Sequence, residues 1–363
     1  MLITIVAGAR PNFMKIAPII KAIQKVKPLI QYRLVHTGQH FDKKMSGDFF
    51  EQLGIPTPHI NLECGGGSQA EQTAAIMIKF ELELLQHKPD VVLVVGDVTS
   101  TMACAITAKK LCIDTVHVEA GIRSGDNTMP EEINRLVTDA IADYFFTTSE
   151  VASHNLFLQN IKPHQIFFVG NTMIDTLYQH LHQIQQPSFW NTYELKKGNY
   201  FLLTLHRPSN VDNLATLTNI LQSIQTAAGN IPIIFPVHPR TAKMIQLLQL
   251  STHNFIIIEP QPYLQFIYLI KHAKGIITDS GGITEEATVL HIPCITMRNS
   301  TERPETITQG TNELVGDDIE KLEHYINKIL QGNWKKGSIP ALWDGYTADR
   351  IIETLLSIYI KPS

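Results

Sequence analysis

Short apolar runs rich in β-branched residues alternate with longer stretches of helical periodicity along most of the chain. In the first half the runs predict strands at Leu2–Ala7, Tyr32–Thr37, Val91–Val95, Thr115–Val118, Tyr144–Thr147 and Ile166–Val169. In the second half they predict strands at Tyr200–Leu205, Ile231–Val237, Phe255–Ile258, Gly275–Thr278 and Cys294–Met297. Helical periodicity falls near Met14–Val26, Gln69–Gln86, Met102–Leu111, Glu131–Ile141 and Val151–Gln159. Uninterrupted apolar strands separated by helices imply parallel sheets covered on both faces. Two such series imply an α/β protein of two Rossmann-like, doubly wound domains. The rhythm breaks at residues 182–199, HQIQQPSFWNTYELKKGN, which reads as a linker. A first domain is therefore expected over residues 1–180 and a second over 181–346, followed by a helix at Thr347–Tyr359.

Composition narrows the class without naming it. The chain has 363 residues, 44% hydrophobic and 18% charged, which is ordinary for a globular protein with two cores. A net charge of −4 provides no bulk attraction for nucleic acid. Cys64, Cys104, Cys112 and Cys294 form no C-x-x-C pair, so neither a zinc site nor a disulfide framework is expected, and a reducing cytoplasm suits them. The opening MLITIVAGARPNF is too short an apolar run for a signal peptide or a membrane span.

The stretch His117–Arg135, HVEAGIRSGDNTMPEEINR, concentrates Glu119, Asp126, Glu131 and Glu132 with Arg123 and Arg135 just after a strand. Asp97 ends the preceding strand. Carboxylates at the carboxyl ends of neighbouring parallel strands share one crevice, an arrangement suited to proton transfer. Crowded carboxylates raise one another's pKa, which makes one of them a usable acid near neutrality. Local roles compete for the same residues: Asp97 as a helix N-cap, and Thr128 with Glu131 as a capping box after which Pro130 opens the helix.

Other turns carry anion chemistry. AGARPNFMK sets Arg10 and Lys15 at a helix amino terminus without the G-x-G-x-x-G dinucleotide fingerprint, so NAD is not indicated. LHRPSN and FPVHPR end strands with His206–Arg207 and His238–Pro239–Arg240. TDSGGITEEA follows a strand with Ser280, Gly281 and Gly282, then a helix bearing Glu285 and Glu286. Small residues there let a diphosphate reach backbone N–H groups, and a glutamate one turn on suits two ribose hydroxyls. Arg298 and Arg303 follow the next strand as further phosphate contacts, and Gln261 and Phe266 lie where a base would be held.

Taken in order, GARPNFMKIAP, HTGQHFD, GDVTST, HVEAGIRSGD…MPEEINR, GNTMIDT, LHRPSN, FPVHPR, TDSGGITEEA and TERPE resemble the non-hydrolysing UDP-N-acetylglucosamine 2-epimerases over nearly the whole chain. The resemblance implies a GT-B-like pair of domains facing a central cleft, with the last helix returning to the first domain. It implies Asp97, Glu119, Glu131 and His206 as the catalytic set. Arg10, Lys15, Arg135, Gln261, Phe266, Ser280, Gly281, Gly282, Glu286 and Arg303 would hold the UDP-sugar. Gln39 and His238 match parts of the allosteric site of regulated members, but the segment around Asp42 and GGGSQAEQ lacks their Gln and Arg, which argues against activation by substrate. No metal and no cofactor are implied, and relatives suggest a homodimer serving polysaccharide synthesis. The residues alone leave open an epimerase of a related UDP-sugar such as a 2,3-diacetamido uronic acid, a hydrolysing 2-epimerase, a GT-B glycosyltransferase and a non-catalytic nucleotide-sugar sensor.

Overall fold

A computed structural model describes residues 1–39, 50, 52–237, 239–247 and 253–360, with backbone alone at 239 and 240. The chain forms two units, Met1–Gln179 with Ala341–Ser363, and His180–Pro340. In the first unit β1 (Leu2–Ala7), β2 (Gln31–His36), β3 (Ile60–Asn61), β4 (Val91–Val95), β5 (Asp114–Val118), β6 (Tyr144–Thr147) and β7 (Ile166–Phe168) alternate with helices. Those helices are α1 (Arg10–Lys25), α2 (Gln69–Gln86), α3 (Thr99–Lys110), α4 (Pro130–Ile141), α5 (Glu150–Leu158) and α6 (Thr172–His180). The sheet order is β3-β2-β1-β4-β5-β6-β7, every neighbouring pair parallel.

The second unit repeats the scheme with β8 (Phe201–Thr204), β9 (Ile233–Pro236), β10 (Phe255–Ile258), β11 (Gly275–Thr278), β12 (Cys294–Thr296) and β13 (Asn312–Leu314). Its helices are α7 (Pro208–Val211), α8 (Leu214–Ala228), α9 (Pro239–Gln246), α10 (Tyr263–His272), α11 (Gly281–Val289), α12 (Pro304–Thr308) and α13 (Ile319–Leu330). Strand order is β10-β9-β8-β11-β12-β13, again all parallel. This is the α/β class that the apolar rhythm predicts: two Rossmann-like, doubly wound sheets. Strand β4, VVLVV, is buried along its whole length because helices cover both faces. Strand order reverses between β1 and β4, and between β8 and β11, so each unit opens a crevice beyond those carboxyl ends.

The structure departs from the sequence expectation at short or mixed segments. Strands β3 and β13 carry too few apolar residues to stand out. Helix α1 starts at Arg10 rather than Met14, because the Asn12 side chain accepts from the N–H groups of Gly8 (3.2 Å) and Ala9 (3.0 Å) and so satisfies donors that the first turn leaves open. The polar stretch 182–199 is not a loose linker. It buries Trp190, whose ring meets those of Tyr200 and Tyr268 edge-on at 5.6 and 5.2 Å.

After the second unit the chain returns to the first. Trp343 donates from Nε1 to the Thr148 carbonyl (2.9 Å), and α14 (Thr347–Tyr359) packs beside α1 with Lys25 paired to Asp349 at 2.7 Å. Tyr346, the N-cap residue of α14, makes no side-chain cap bond. Asp175 of α6 supplies the cap instead, accepting from the N–H groups of Thr347 (3.1 Å) and Ala348 (2.7 Å). Burial pushes the Asp175 carboxyl up to about 6, against the pull of those donors.

The sign of this linkage is fixed. A carboxyl with a raised folded-state pKa contributes stability that is fully present below its unfolded pKa and is lost as pH rises through the folded value. Asp175→Asn keeps an acceptor oxygen and removes the titration. The variant is expected to flatten the urea-midpoint profile between about pH 4 and pH 6. At pH 4.5, Asp175→Ala should lose about 1–2 kcal/mol of stability in the same measurement, since two helix N–H groups lose their acceptor.

Candidate active site

In the first unit the chemistry gathers where β4 and β5 end side by side, Val95 opposite Val118. The next residue of β4 is Gly96 at φ +70°, and the next of β5 is Glu119 at φ +68°. A left-handed glutamate is costly, of order 1–3 kcal/mol, and persists where neighbours hold it. Lys15 of α1 forms an ion pair with Glu119, which is itself buried. Asn12 donates to the Val95 carbonyl (3.0 Å), so the first turn of α1 is tied to the end of β4. Asp97 pairs with Arg135 of α4, and its own carbonyl accepts from Asn134 at 2.8 Å. The guanidinium of Arg135 also donates to Glu132 (2.7 Å). Glu132 in turn accepts from the Ser124 N–H and hydroxyl at 2.9 and 3.0 Å. Burial pushes the Glu132 carboxyl up, but the Ser124 N–H and Arg135 outweigh it and hold the group below the usual range.

In the second unit β8 and β11 end together, with Thr204 opposite Thr278. Asp279 follows β11 and is fully buried. Its carboxylate lies 2.7 Å from His206 Nδ1 and accepts from the N–H groups of His206 (3.0 Å) and Arg207 (2.9 Å) and from Asn210 (3.0 Å). Burial raises the Asp279 carboxyl, while the His206 bond and charge, the Arg207 N–H and Asn210 outweigh it and keep it low. The exposed His206 imidazole is thus oriented from behind by a carboxylate. Ser280 is the N-cap of α11 and makes no side-chain cap bond, and a Cβ added at Gly282 would meet nothing within 4 Å. This leaves room beside the start of α11, where a helix amino terminus favours anions. Tyr263 donates to Glu286 (3.2 Å), and Phe266 sits half-buried on α10.

A family model described as UDP-N-acetylglucosamine 2-epimerase matches residues 21–356. The chain belongs to this family. It is similar to a UDP-N-acetylglucosamine 2-epimerase of Methanocaldococcus jannaschii, at 44% identity over 98% of this chain and 99% of that one. A crystal structure of the Methanocaldococcus jannaschii epimerase, in complex with UDP-GlcNAc and UDP, superposes with a TM-score of 0.87 at 43% identity, covering 98% of this chain and 100% of the other. A third relative, at 40% identity over 87% of this chain and 88% of its own, is the UDP-2,3-diacetamido-2,3-dideoxy-D-glucuronate 2-epimerase of Pseudomonas aeruginosa. The protein is accordingly an epimerase, an isomerase.

The epimerase fold brings Lys15, Asp97, Glu119 and Arg135 to one sheet edge. Arg10 is exposed at the start of α1, and Glu131 is half-buried in the first turn of α4. Crowded carboxylates were expected there, yet cations stand between them: Lys15 faces Glu119 and Arg135 faces Asp97. Val98, not Asp97, is the N-cap of α3. The Thr128–Glu131 capping box does not form; Met129 is the N-cap of α4 and the Thr128 hydroxyl is spent on Asp126 (2.6 Å). Of the arginines read as phosphate contacts, Arg298 grips Glu302 with two bonds of 2.6 and 2.7 Å, and Arg303 pairs with Glu285. Gln261 donates to the Glu259 carbonyl (2.8 Å), and Gln39 accepts from the Ser100 hydroxyl (2.8 Å). His238 and Asp42 lie outside the described residues. Sequence reasoning passed over Asn12 and Tyr263 and the orienting role of Asp279; it named Glu132 only as one of the carboxylates clustered near Arg135, not as the anchor of Ser124.

Gly96 lies directly against this ion pair. A Cβ there would stand 3.1 Å from Lys15 Nζ and 3.5 Å from Glu119 Oε2, on a backbone that disfavours side chains. Gly96→Ala is expected to cost about 1–2 kcal/mol by denaturant titration. It should also lower turnover by displacing the lysine; unchanged turnover would show that this ion pair tolerates movement.

Proposed function

We propose that the protein interconverts UDP-N-acetylglucosamine and UDP-N-acetylmannosamine at C2 without hydrolysing the nucleotide. The observation that carries this reading is the pair of carboxylate–cation contacts, Glu119–Lys15 and Asp97–Arg135, on adjoining strand ends of an epimerase. The C2 hydrogen of an N-acetylhexosamine has no neighbouring carbonyl to acidify it, so elimination is the accessible route. A carboxylate removes the C2 proton, the C–H electrons become the C1=C2 bond, and the C1–O bond breaks with its electrons leaving on UDP. UDP then adds back to C1 of the 2-acetamidoglucal while a proton is delivered to the other face of C2. Atoms and charge balance with no redox partner, which agrees with a set of residues built from acids, bases and cations.

Within this reading Asp97, Glu119 and Glu131 form the acid/base set, and Arg10, Lys15 and Arg135 stabilise charge on the leaving diphosphate. His206, oriented by Asp279, serves the same diphosphate or transfers a proton. Ser280, Gly281 and Gly282 present backbone donors to phosphate, Glu286 takes the ribose hydroxyls, Arg303 supports that grip, and Gln261 and Phe266 hold uracil. The reading includes a homodimeric enzyme of the cytoplasm serving polysaccharide synthesis. Among the described residues no helix is long and apolar enough to cross a membrane. A related UDP-2,3-diacetamido uronic acid is the second candidate substrate, favoured by the 40% identical relative that is named for it.

Incubation with UDP-N-acetylglucosamine in deuterated water, followed by proton NMR, decides the chemistry. Deuterium at C2 of a UDP-linked sugar is expected, and a UDP-linked product that carries only hydrogen there rejects elimination. Release of UDP with free sugar on anion-exchange chromatography would instead indicate hydrolysis. Glu119→Gln should lower turnover by about 10²-fold or more with UDP affinity little changed. Wild-type turnover in that variant removes Glu119 from the acid/base set.

A further inference from the structure

We propose that His117 and Asp139 are positioning residues, which fix Asp97 and Glu119 through the backbone of the turns that carry them. The proposal rests on the reading of those two carboxylates as acid/base groups. His117 lies on β5, two residues before Glu119, and Asp139 lies on α4; both side chains are completely buried. His117 Nδ1 is 2.6 Å from Asp139 Oδ1, and Nε2 is 2.8 Å from the Gly96 carbonyl oxygen. A carbonyl can only accept. So can an ionised carboxylate, and Asp139 is held in that form: burial raises its carboxyl, but His117 and Arg123 outweigh burial and keep it low. The ring is thus held at both nitrogens, between the Asp139 carboxylate and the Gly96 carbonyl.

The other oxygen of Asp139 accepts from Arg123 Nη2 (2.7 Å) and from the Gly121 N–H (3.0 Å). One continuous chain of contacts thus runs from Gly121, just past Glu119, through Asp139 and His117 to Gly96, just before Asp97. Gly96, Glu119 and Gly121 all hold left-handed φ angles, of 70°, 68° and 76°. Such backbone stays in place only where its surroundings over-determine it. Buried ions are a weak source of stability, since apolar replacements of similar volume often fold as well. What this cluster supplies is placement of two turns at once. Neither ring nor carboxylate needs to touch the substrate.

The test uses two full-length variants. His117→Gln retains a donor for the Gly96 carbonyl and gives up the bond to Asp139. Asp139→Asn, nearly isosteric, retains an acceptor for the Gly121 N–H and gives up the ion pairs; it keeps the proposal open to refutation where His117→Gln does not fold. In both, kcat for C2 exchange per UDP-binding site should fall by about 10²-fold, with KM and UDP Kd within about three-fold of wild type. Crystal structures should show the Gly96–Asp97 or Glu119–Gly121 turn displaced. A purely structural role would lower Tm and leave kcat per UDP-binding site unchanged; that result overturns the proposal. Wild-type protein without C2 exchange defeats the acid/base reading itself. In that event undisplaced turns in the variant structures still overturn the positioning role, and displaced turns uphold it.

Discussion

A parallel sheet sends the carboxyl end of every strand to the same edge, and this constraint organises each unit. The two sheets here reverse their winding at β1–β4 and at β8–β11, so the flanking turns open rather than pack. Gly8, Asp97 and Glu119 lie within two residues of the ends of β1, β4 and β5, and His206 and Asp279 within two residues of the ends of β8 and β11. The helices that begin beyond the same edge present their N–H ends there, which favours the carboxylates gathered at it.

Charge is handled locally on each edge. Glu119 and Asp97 are matched by Lys15 and Arg135, and Glu132 shares the arginine while anchoring the loop at Ser124. In the second sheet a wholly buried aspartate collects backbone donors and fixes the histidine in front of it. In each unit these ionised groups are held at strand ends and the first turns of helices rather than on long loops.

Much of this was legible in the linear chain. VVLVV can hardly be anything but a covered strand, and Asp97 and Glu119 are conspicuous because they interrupt apolar runs. Ser280, Gly281 and Gly282 after Asp279 likewise mark a strand-to-helix turn. Partners were not legible, because they are brought in by packing: Lys15 and Glu119 are 104 positions apart. Asp139 reads as one more solvated residue of an amphipathic helix, and only the fold turns it toward His117. Strand β13, NEL, shows no apolar run, and Trp190 hides in a segment whose Gln, Pro and Lys content imitates a linker. Composition describes solvent preference, and a single large ring can override it.

The first unit is discontinuous: its residues up to Gln179 are completed by residues from Ala341 onward. This has a bearing on how the molecule is born. A ribosome delivers the chain in order, so the leading sheet emerges long before the indole that caps Thr148 and the helix that settles against α1. Until that late segment arrives, Asp175 is an acid with no helix to cap. The nascent amino-terminal half must wait, incompletely sealed, while the following unit is made in full, and premature termination leaves a raw apolar flank for chaperones or proteases to find.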